Sequence, residues 1–594
     1  MSYRRKKLLA LFCAMALSMT AVAGCTGIKS STGNVVSSET ETNAEETSAQ
    51  SEAGTFSSAD MFTERDLAGT YEESGAVYVT LSDDGIAGET DGVVIDGQMV
   101  TITAEGTYIF SGTLSEGQIV VDADNAKVQI VFDNVDITCA SSAAVYVKSA
   151  EKVFVTLAEG SQNTLRNTDE YVAIDDNNID AVIFAKSDLT LNGTGSLTII
   201  SAEGHGIVSK DDLKIIGGTY DITAAGHALS GKDSVRIADG TFILTAEKDG
   251  IHAENADDEE KGYIYIADGD FTITSDGDGM DASNIVQIED GTLDITAGGG
   301  AANSLKTHES DMPGGPGGGM PQNGEKLDGE SMPQMGEKPD GENMPQDTTT
   351  DESGTSTKGI KAGGGMYLNG GTYQIDSADD SIHSNANITI ADGTYTLATG
   401  DDGVHADDAL IVNGGTITVT ESYEGLEGLA VTINDGTIDI TASDDGINTA
   451  GEKMELNGGY IHILAGGDGV DSNGDLTING GEIYIDGPSD NGNSAIDYGD
   501  RSSAYVNGGT LVAIGSSGMA EGMSDSSKQK VLMVKLGEQM EAGNVVLTDS
   551  EGNVIVSYTA LKTYDCVIIS TAEVESGATY TLTTSGMTTE VTAE

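Results

Sequence analysis

The sequence predicts an all-β protein, a right-handed parallel β-helix of stacked coils about 22 residues long, closed at its C-terminal end by a small antiparallel β cap. Three observations predict it. A Gly-Gly or Asp-Gly turn followed by a strand returns at a near-constant spacing, two apolar columns run through every repeat, and nothing between the strands has the length and period of an amphipathic helix.

The residue after the turn falls at Thr219, Thr241, Asp270, Thr292, Thr372, Thr394, Thr416, Thr437, Tyr460, Glu482 and Thr510. Most successive intervals are 21 to 23. The exceptions, 29, 80 and 28, read as single periods with insertions, the largest of about 58 residues. A solenoid accepts these because each coil contacts only its neighbours. The next position is apolar throughout, from Tyr220, Phe242 and Phe271 to Leu511, and so is the one two further on, as in Ile222, Leu244 and Ile273. Alternation at period two marks a strand with one buried face. A second apolar run precedes each turn, as in Leu410-Ile411-Val412 before Asn413-Gly414-Gly415. A period of 22 exceeds the roughly 18 residues per coil of nonapeptide calcium solenoids and favours a three-sided form.

Residues 1–24 read as an export signal, with Arg4, Arg5, Lys6 and Lys7 ahead of an apolar stretch at 8–23. Val22-Ala23-Gly24-Cys25 resembles the lipobox of bacterial lipoproteins, which makes Cys25 the lipidation site and anchors the protein by lipid on the extracellular face of the cell membrane, at the bacterial surface. Residues 25–60 have almost nothing to bury and read as a tether. Residues 61–200 are expected to form an N-terminal cap and irregular coils, with strands near 118–121, 128–132 and 153–157. The regular helix should span 201–523, and short strands in 524–594 should form the cap. Within the helix, the insert at 298–359 repeats Met-Pro among Gly, Glu and Lys, a composition that reads as a loop. Cys139 and Cys566 imply no disulfide framework.

Lys and Arg number 28 against 97 Asp and Glu, and losing residues 1–24 removes four basic residues and no acidic ones, taking the net charge from −69 to −73. Such a chain repels nucleic acid and attracts divalent cations. Its acids follow a pattern of acidic-Gly-apolar-polar units: Asp249-Gly250-Ile251-His252, Asp278-Gly279-Met280-Asp281, Asp402-Gly403-Val404-His405, Asp445-Gly446-Ile447-Asn448 and Asp468-Gly469-Val470-Asp471, with Asp380-Ser381-Ile382-His383 and Glu424-Gly425-Leu426-Glu427 as variants. At one unit per coil the first acids stack. Asp379, Asp401 and Asp444 each add a neighbouring acid, and such oxygen clusters suit calcium. Asp239, Asp268, Asp290, Asp392 and Asp435 read instead as turn residues. His252, His383 and His405 are either solvated polar residues or sugar contacts, and their spacing alone does not make a zinc site.

The stretch Asn192-Gly193-Thr194-Gly195-Ser196-Leu197, the recurring Gly-Gly-Thr turns and the Asp-Gly-Ile/Val units resemble secreted, calcium-dependent carbohydrate-binding β-helix proteins of fibre-degrading anaerobes, similar in architecture to pectate lyases. The resemblance covers residues 76–594, and the Met-Pro insert departs from it. It implies a monomer that binds a plant-type polysaccharide, cellulose or pectic acid, with calcium and without catalysis. Two alternatives stand beside it. A calcium-dependent lyase acting on uronates would need a basic residue beside the metal, and Lys248 and Arg236 are the candidates near a ladder. A passive surface stalk or adhesin would need the solenoid alone.

Overall fold

Three short strands make up each coil, and the coils stack in parallel register. In a computed structural model, which describes residues 56–88, 90–172, 174–306, 356–499 and 501–593, one coil comprises Thr219–Ala224 on a first face, Leu229–Gly231 on a second and Ser234–Ile237 on a third. The following coil pairs Thr241 with Thr219, Ile251 with Leu229 and Tyr263 with Ser234. The large insertion leaves this stacking intact, since Thr292 pairs directly with Thr372 and Met280 with Ile360. The expected signal, Cys25 and most of the Met-Pro insert lie outside the described residues. Among the described residues, no helix is long and apolar enough to cross a membrane.

Alternation along the first face turns every second side chain inward. The inward aromatics stack along the axis: Tyr220 on Phe242 at 5.2 Å, Phe242 on Phe271 at 4.6 Å and Tyr373 on Tyr395 at 4.5 Å, with rings within 9° of parallel. Tyrosine is tolerated here because its hydroxyl reaches the turn that precedes its strand. Tyr220 donates to the Gly217 carbonyl at 2.9 Å and Tyr373 to that of Gly370 at 2.8 Å, so neither of these buried hydroxyls is orphaned.

Two kinds of repeated glycine do different work. Those that open the first-face strand, such as Gly415 and Gly459, have φ of 89° and 83°, the left-handed region that glycine enters freely. Those that follow the column acids lack positive φ but have no space. A Cβ on Gly446 would lie 2.2 Å from Ile463 Cγ2 and 2.5 Å from the Gly469 carbonyl oxygen, and Gly279 and Gly425 are equally confined. Gly446→Val is therefore expected to destabilise the protein by ~1–3 kcal/mol through overpacking, read by denaturant unfolding. An unchanged midpoint would show that the corner relaxes freely.

The ends differ from the middle. Ahead of the regular coils, Val93–Asp96 and Met99–Ile102 form an antiparallel hairpin, while parallel stacking is already in place where Val77 pairs with Tyr108 and Met99 with Gln118. The last residues of the expected tether pack on the third face, where the Phe56 ring lies 4.3 Å from that of Tyr263 and Gln287 bonds both backbone groups of Phe56. A capped turn follows, in which Asp66 is buried 2.6 Å from Lys152 Nζ. At the other end, Tyr564–Ser570 pairs antiparallel with Thr510–Gly515, and Gly543–Thr548, Val554–Ala560, Thr579–Thr583 and Thr588–Thr592 form a separate four-stranded antiparallel sheet. Cys139 and Cys566 are free and buried.

Candidate functional site

The corner between the first and second faces carries the acidic units. Backbone bonds fix their stacking: Gly250 N–H donates to the Asp278 carbonyl, Gly359 to that of Asp380, Gly403 to Glu424, Gly425 to Asp445 and Gly446 to Asp468. One carboxylate oxygen of each acid is commonly engaged by the amide above it. Asp249 Oδ1 accepts from Asp278 at 2.9 Å, Asp278 Oδ1 from Lys358 at 2.7 Å, Asp402 Oδ1 from Glu424 at 3.2 Å and Asp445 Oδ1 from Asp468 at 2.6 Å. The second oxygen is left for other partners. Burial separates this column from the turn acids, for Asp278 and Asp380 are each 1% exposed. Asp239, Asp268, Asp290, Asp392 and Asp435 instead accept the N–H of the glycine that follows each of them.

Along the column the acids fall into three groups with different neutralising partners. Near the N-terminal end, Asp249 Oδ2 lies 3.0 Å from His227 Nδ1 and 3.2 Å from His252 Nδ1, and Asp281 Oδ2 lies 3.4 Å from His252. Burial would raise the Asp249 carboxyl, but His227 and His252 hold it well below the usual carboxylate range. Burial would lower His252, but Asp249 and Asp281 lift it to about 9. Asp278 is raised to about 7, mainly by burial.

In the middle, lysines enter the column. Lys358 Nζ lies 2.8 Å from both Asp379 and Asp380, Lys306 Nζ lies 2.7 Å from Asp379 and also bonds Asp401, and Lys361 Nζ lies 3.4 Å from Asp278 and 3.3 Å from Asp281. The sequence pattern misses these three and points to Lys248 and Arg236 instead. Arg236 bonds Asp212 and the Met61 carbonyl on the third face instead. Burial opposes the charge on Lys306 and Lys358, yet the surrounding aspartates hold both above the ordinary lysine range, so neither offers the neutral amine that a base requires. His383 Nδ1 lies 2.8 Å from Asp380, and His405 Nδ1 lies 3.2 Å from both Asp402 and Glu427.

The third group has no basic partner among the described residues. Asp445, Asp468 and Asp471 bring carboxylate oxygens within 4.8 Å of one another. Burial raises Asp445 to about 8, with Asp444 and Asp468 adding to it. Burial, then Asp497 and Asp471, takes Asp468 to about 7, and burial, then Asp497 and Asp444, takes Asp471 to about 6. Asp497 is a further residue that sequence reasoning missed. A search by register would have found it, along with the other omissions: Lys358-Gly359-Ile360-Lys361 has the form of an acidic unit with its charges reversed, His227-Ala228-Leu229-Ser230 occupies the same place two coils below Asp278, and Asp497 pairs with Asp471.

On the same coils, at the end of the first face away from these acids, aromatics gather. Tyr460, 42% exposed, opens the strand that leads into Asp468, and its ring lies 5.6 Å from Tyr484, which stacks on Tyr558 of the cap at 5.2 Å.

A family model described as carbohydrate-binding domain-containing protein matches residues 96–403 and 401–580. A protein of Acetivibrio thermocellus with that same description is 40% identical over 139 residues, which are 23% of this chain and 49% of the relative, so the chain spans about half the length of the curated relative it matches. A solved structure described as the polysaccharide lyase-like protein from C. thermocellum, a gadolinium derivative, is 36% identical, with a TM-score of 0.37 over 38% of this chain and 92% of that one.

Proposed function

The chain belongs to the family of carbohydrate-binding domain-containing proteins, and from that premise we propose that it binds a plant-type acidic polysaccharide of the pectic class through calcium, without cleaving it. The observation that supports this most is the third acidic group. Asp468 is buried and Asp445 and Asp471 are half-buried, with no ammonium or imidazole to neutralise them among the described residues. A hard cation with flexible, oxygen-only coordination suits that donor set. Calcium held there would keep open coordination positions for uronate carboxylates, which the chain at −69 otherwise repels. Tyr460, on the same coil, offers a ring face to a sugar, the contact that a neutral glycan such as cellulose would use.

Binding without catalysis is supported by the protonated state of Lys306 and Lys358, since β-elimination from a uronate needs a base able to take a proton. In this reading a lipid anchor at Cys25 holds the protein at the cell surface.

The test is retention on polygalacturonate and on cellulose, with calcium or with chelator, while absorbance follows unsaturated product. We expect calcium-dependent retention on polygalacturonate, no product, and loss of that retention in Asp468→Asn/Asp471→Asn. Product formation would make the protein a lyase. Absence of retention on either polymer would leave a surface stalk.

A further inference from the structure

We propose that His227, Asp249 and His252 form a binding site for a zinc-class divalent ion, chemically separate from the carboxylate group at Asp445, Asp468 and Asp471. The ligand atoms converge on one point: His227 Nδ1 and His252 Nδ1 lie 3.0 and 3.2 Å from the same oxygen, Asp249 Oδ2, and all three atoms fall within 4.8 Å of one another. Ligands at zinc distances of about 2.0–2.1 Å in a tetrahedron stand roughly 3.3 Å apart. Asp281 Oδ2 lies 3.4 Å from His252 Nδ1 but does not join the group whose atoms all approach within 4.8 Å, which leaves a fourth position to water.

The donor set selects the metal. Two imidazoles and a carboxylate suit zinc and its neighbours in the first transition row, whereas calcium takes oxygen alone. Hydrogen bonding sets what a metal would displace. His227 Nδ1 accepts the Asp249 N–H at 3.2 Å, so it is unprotonated, and a metal would take over from that N–H as the partner of its single lone pair. His252 Nδ1 is sealed from solvent, and no hydrogen bond of ordinary geometry reaches it among the described residues. While no metal is bound, a proton on His252 shared with Asp249 and Asp281 serves as the cation, and a metal entering here replaces it.

The surroundings hold the three groups in place. His205, His227 and His252 form a stack with ring centroids 4.9 and 4.3 Å apart and planes within 7° of parallel. The Asp278 amide engages Asp249 Oδ1 and leaves Oδ2 facing the rings, the kind of outer support that fixes metal ligands. Among the described residues no Lys or Arg ion-pairs with Asp249, and Lys361 stops at Asp278 and Asp281. Two other groups include histidine, Asp380 with His383 and His405 and Asp402 with His405 and Glu427, but Lys358 pairs with Asp380 in the first and the second offers a single imidazole, so among the described residues the His227 group alone joins two imidazoles to a carboxylate without an ammonium partner.

The test uses the purified full chain, stripped with chelator and titrated with zinc by calorimetry, and with cobalt followed by its visible absorption. We expect one zinc per chain, a tetrahedral cobalt spectrum, and no displacement by millimolar calcium. His227→Ala and His252→Ala should each weaken zinc binding at least ~100-fold, given that outer-shell partners alone are worth 10–100-fold. The near-isosteric His252→Asn should do the same with the melting curve unchanged. Asp445→Asn/Asp468→Asn should leave zinc binding untouched. The proposal falls if the stripped protein takes up no zinc, if calcium displaces it, or if the three histidine variants bind it as the wild type does.

Discussion

Lys358→Met is expected to lower the stability of the protein by ~3–5 kcal/mol at neutral pH, the cost of removing one partner from a buried ion pair. Lys358 Nζ touches Asp379 and Asp380 at 2.8 Å, and Asp380 is 1% exposed, so its charge has almost no water to turn to once the ammonium is gone. Lys306, with His383 beside Asp380, would then face Asp379, Asp380 and Asp401, whose oxygens lie within 4.8 Å of one another. That vacated corner has the donor chemistry of the Asp445 group. Millimolar calcium should therefore restore much of the lost stability, and calorimetry should count one more calcium per chain than in the wild type. Denaturant unfolding with and without calcium measures both effects. A variant that unfolds with the wild type and takes no additional calcium would show that Lys358 is not what neutralises these acids.

Stripped of metal, the protein is expected to lose stability as pH rises from about 4 to 8, and calcium is expected to remove that loss. Asp445, Asp468 and Asp471 have folded values of about 8, 7 and 6 against an ordinary 3.8. In that window the folded state keeps protons that the unfolded chain has released. Stability falls with pH wherever the folded state binds more protons, so the contribution is complete below pH 4 and gone above about pH 8. Calcium reverses the order by favouring the ionised carboxylates, and at 100 times its dissociation constant adds about 2.7 kcal/mol per site. The check is a melting series from pH 4 to 9 in chelator and in calcium, for the wild type and for Asp445→Asn/Asp468→Asn. The wild type should show the falling limb only in chelator, and the variant should show a shallower limb that calcium does not alter. Equal slopes in wild type and variant would mean that these three acids ionise freely.

Much of this column was legible in the sequence because a solenoid turns period into proximity. The spacing of Asp402, Glu424, Asp445 and Asp468 was enough to predict that they stack, and the backbone bonds between their coils agree. Glycine after the acid is part of the legible pattern, but its reason is not: at Gly446 the constraint is Ile463 and the coil above, a contact between residues 17 apart in the chain. The lysines are hidden from a pattern defined by its acids. Lys358 and Lys361 hold the register positions of an acidic unit, and Lys306 stands at the far side of an insertion from the coil it neutralises.

By itself the sequence determined the coil, its inward columns, the antiparallel cap and the acidic corner, since each of these follows from local periodicity and from the requirement that apolar faces be buried. Only the tertiary structure decided which acids are neutralised and by what. Charge balance in a buried column depends on side chains that arrive from other coils and from the roots of an insertion, at distances of 3 to 4 Å that no spacing along the chain encodes. The same acidic unit therefore faces histidine at Asp249, lysine at Asp380 and only other carboxylates at Asp445, and its chemistry changes with the company it keeps.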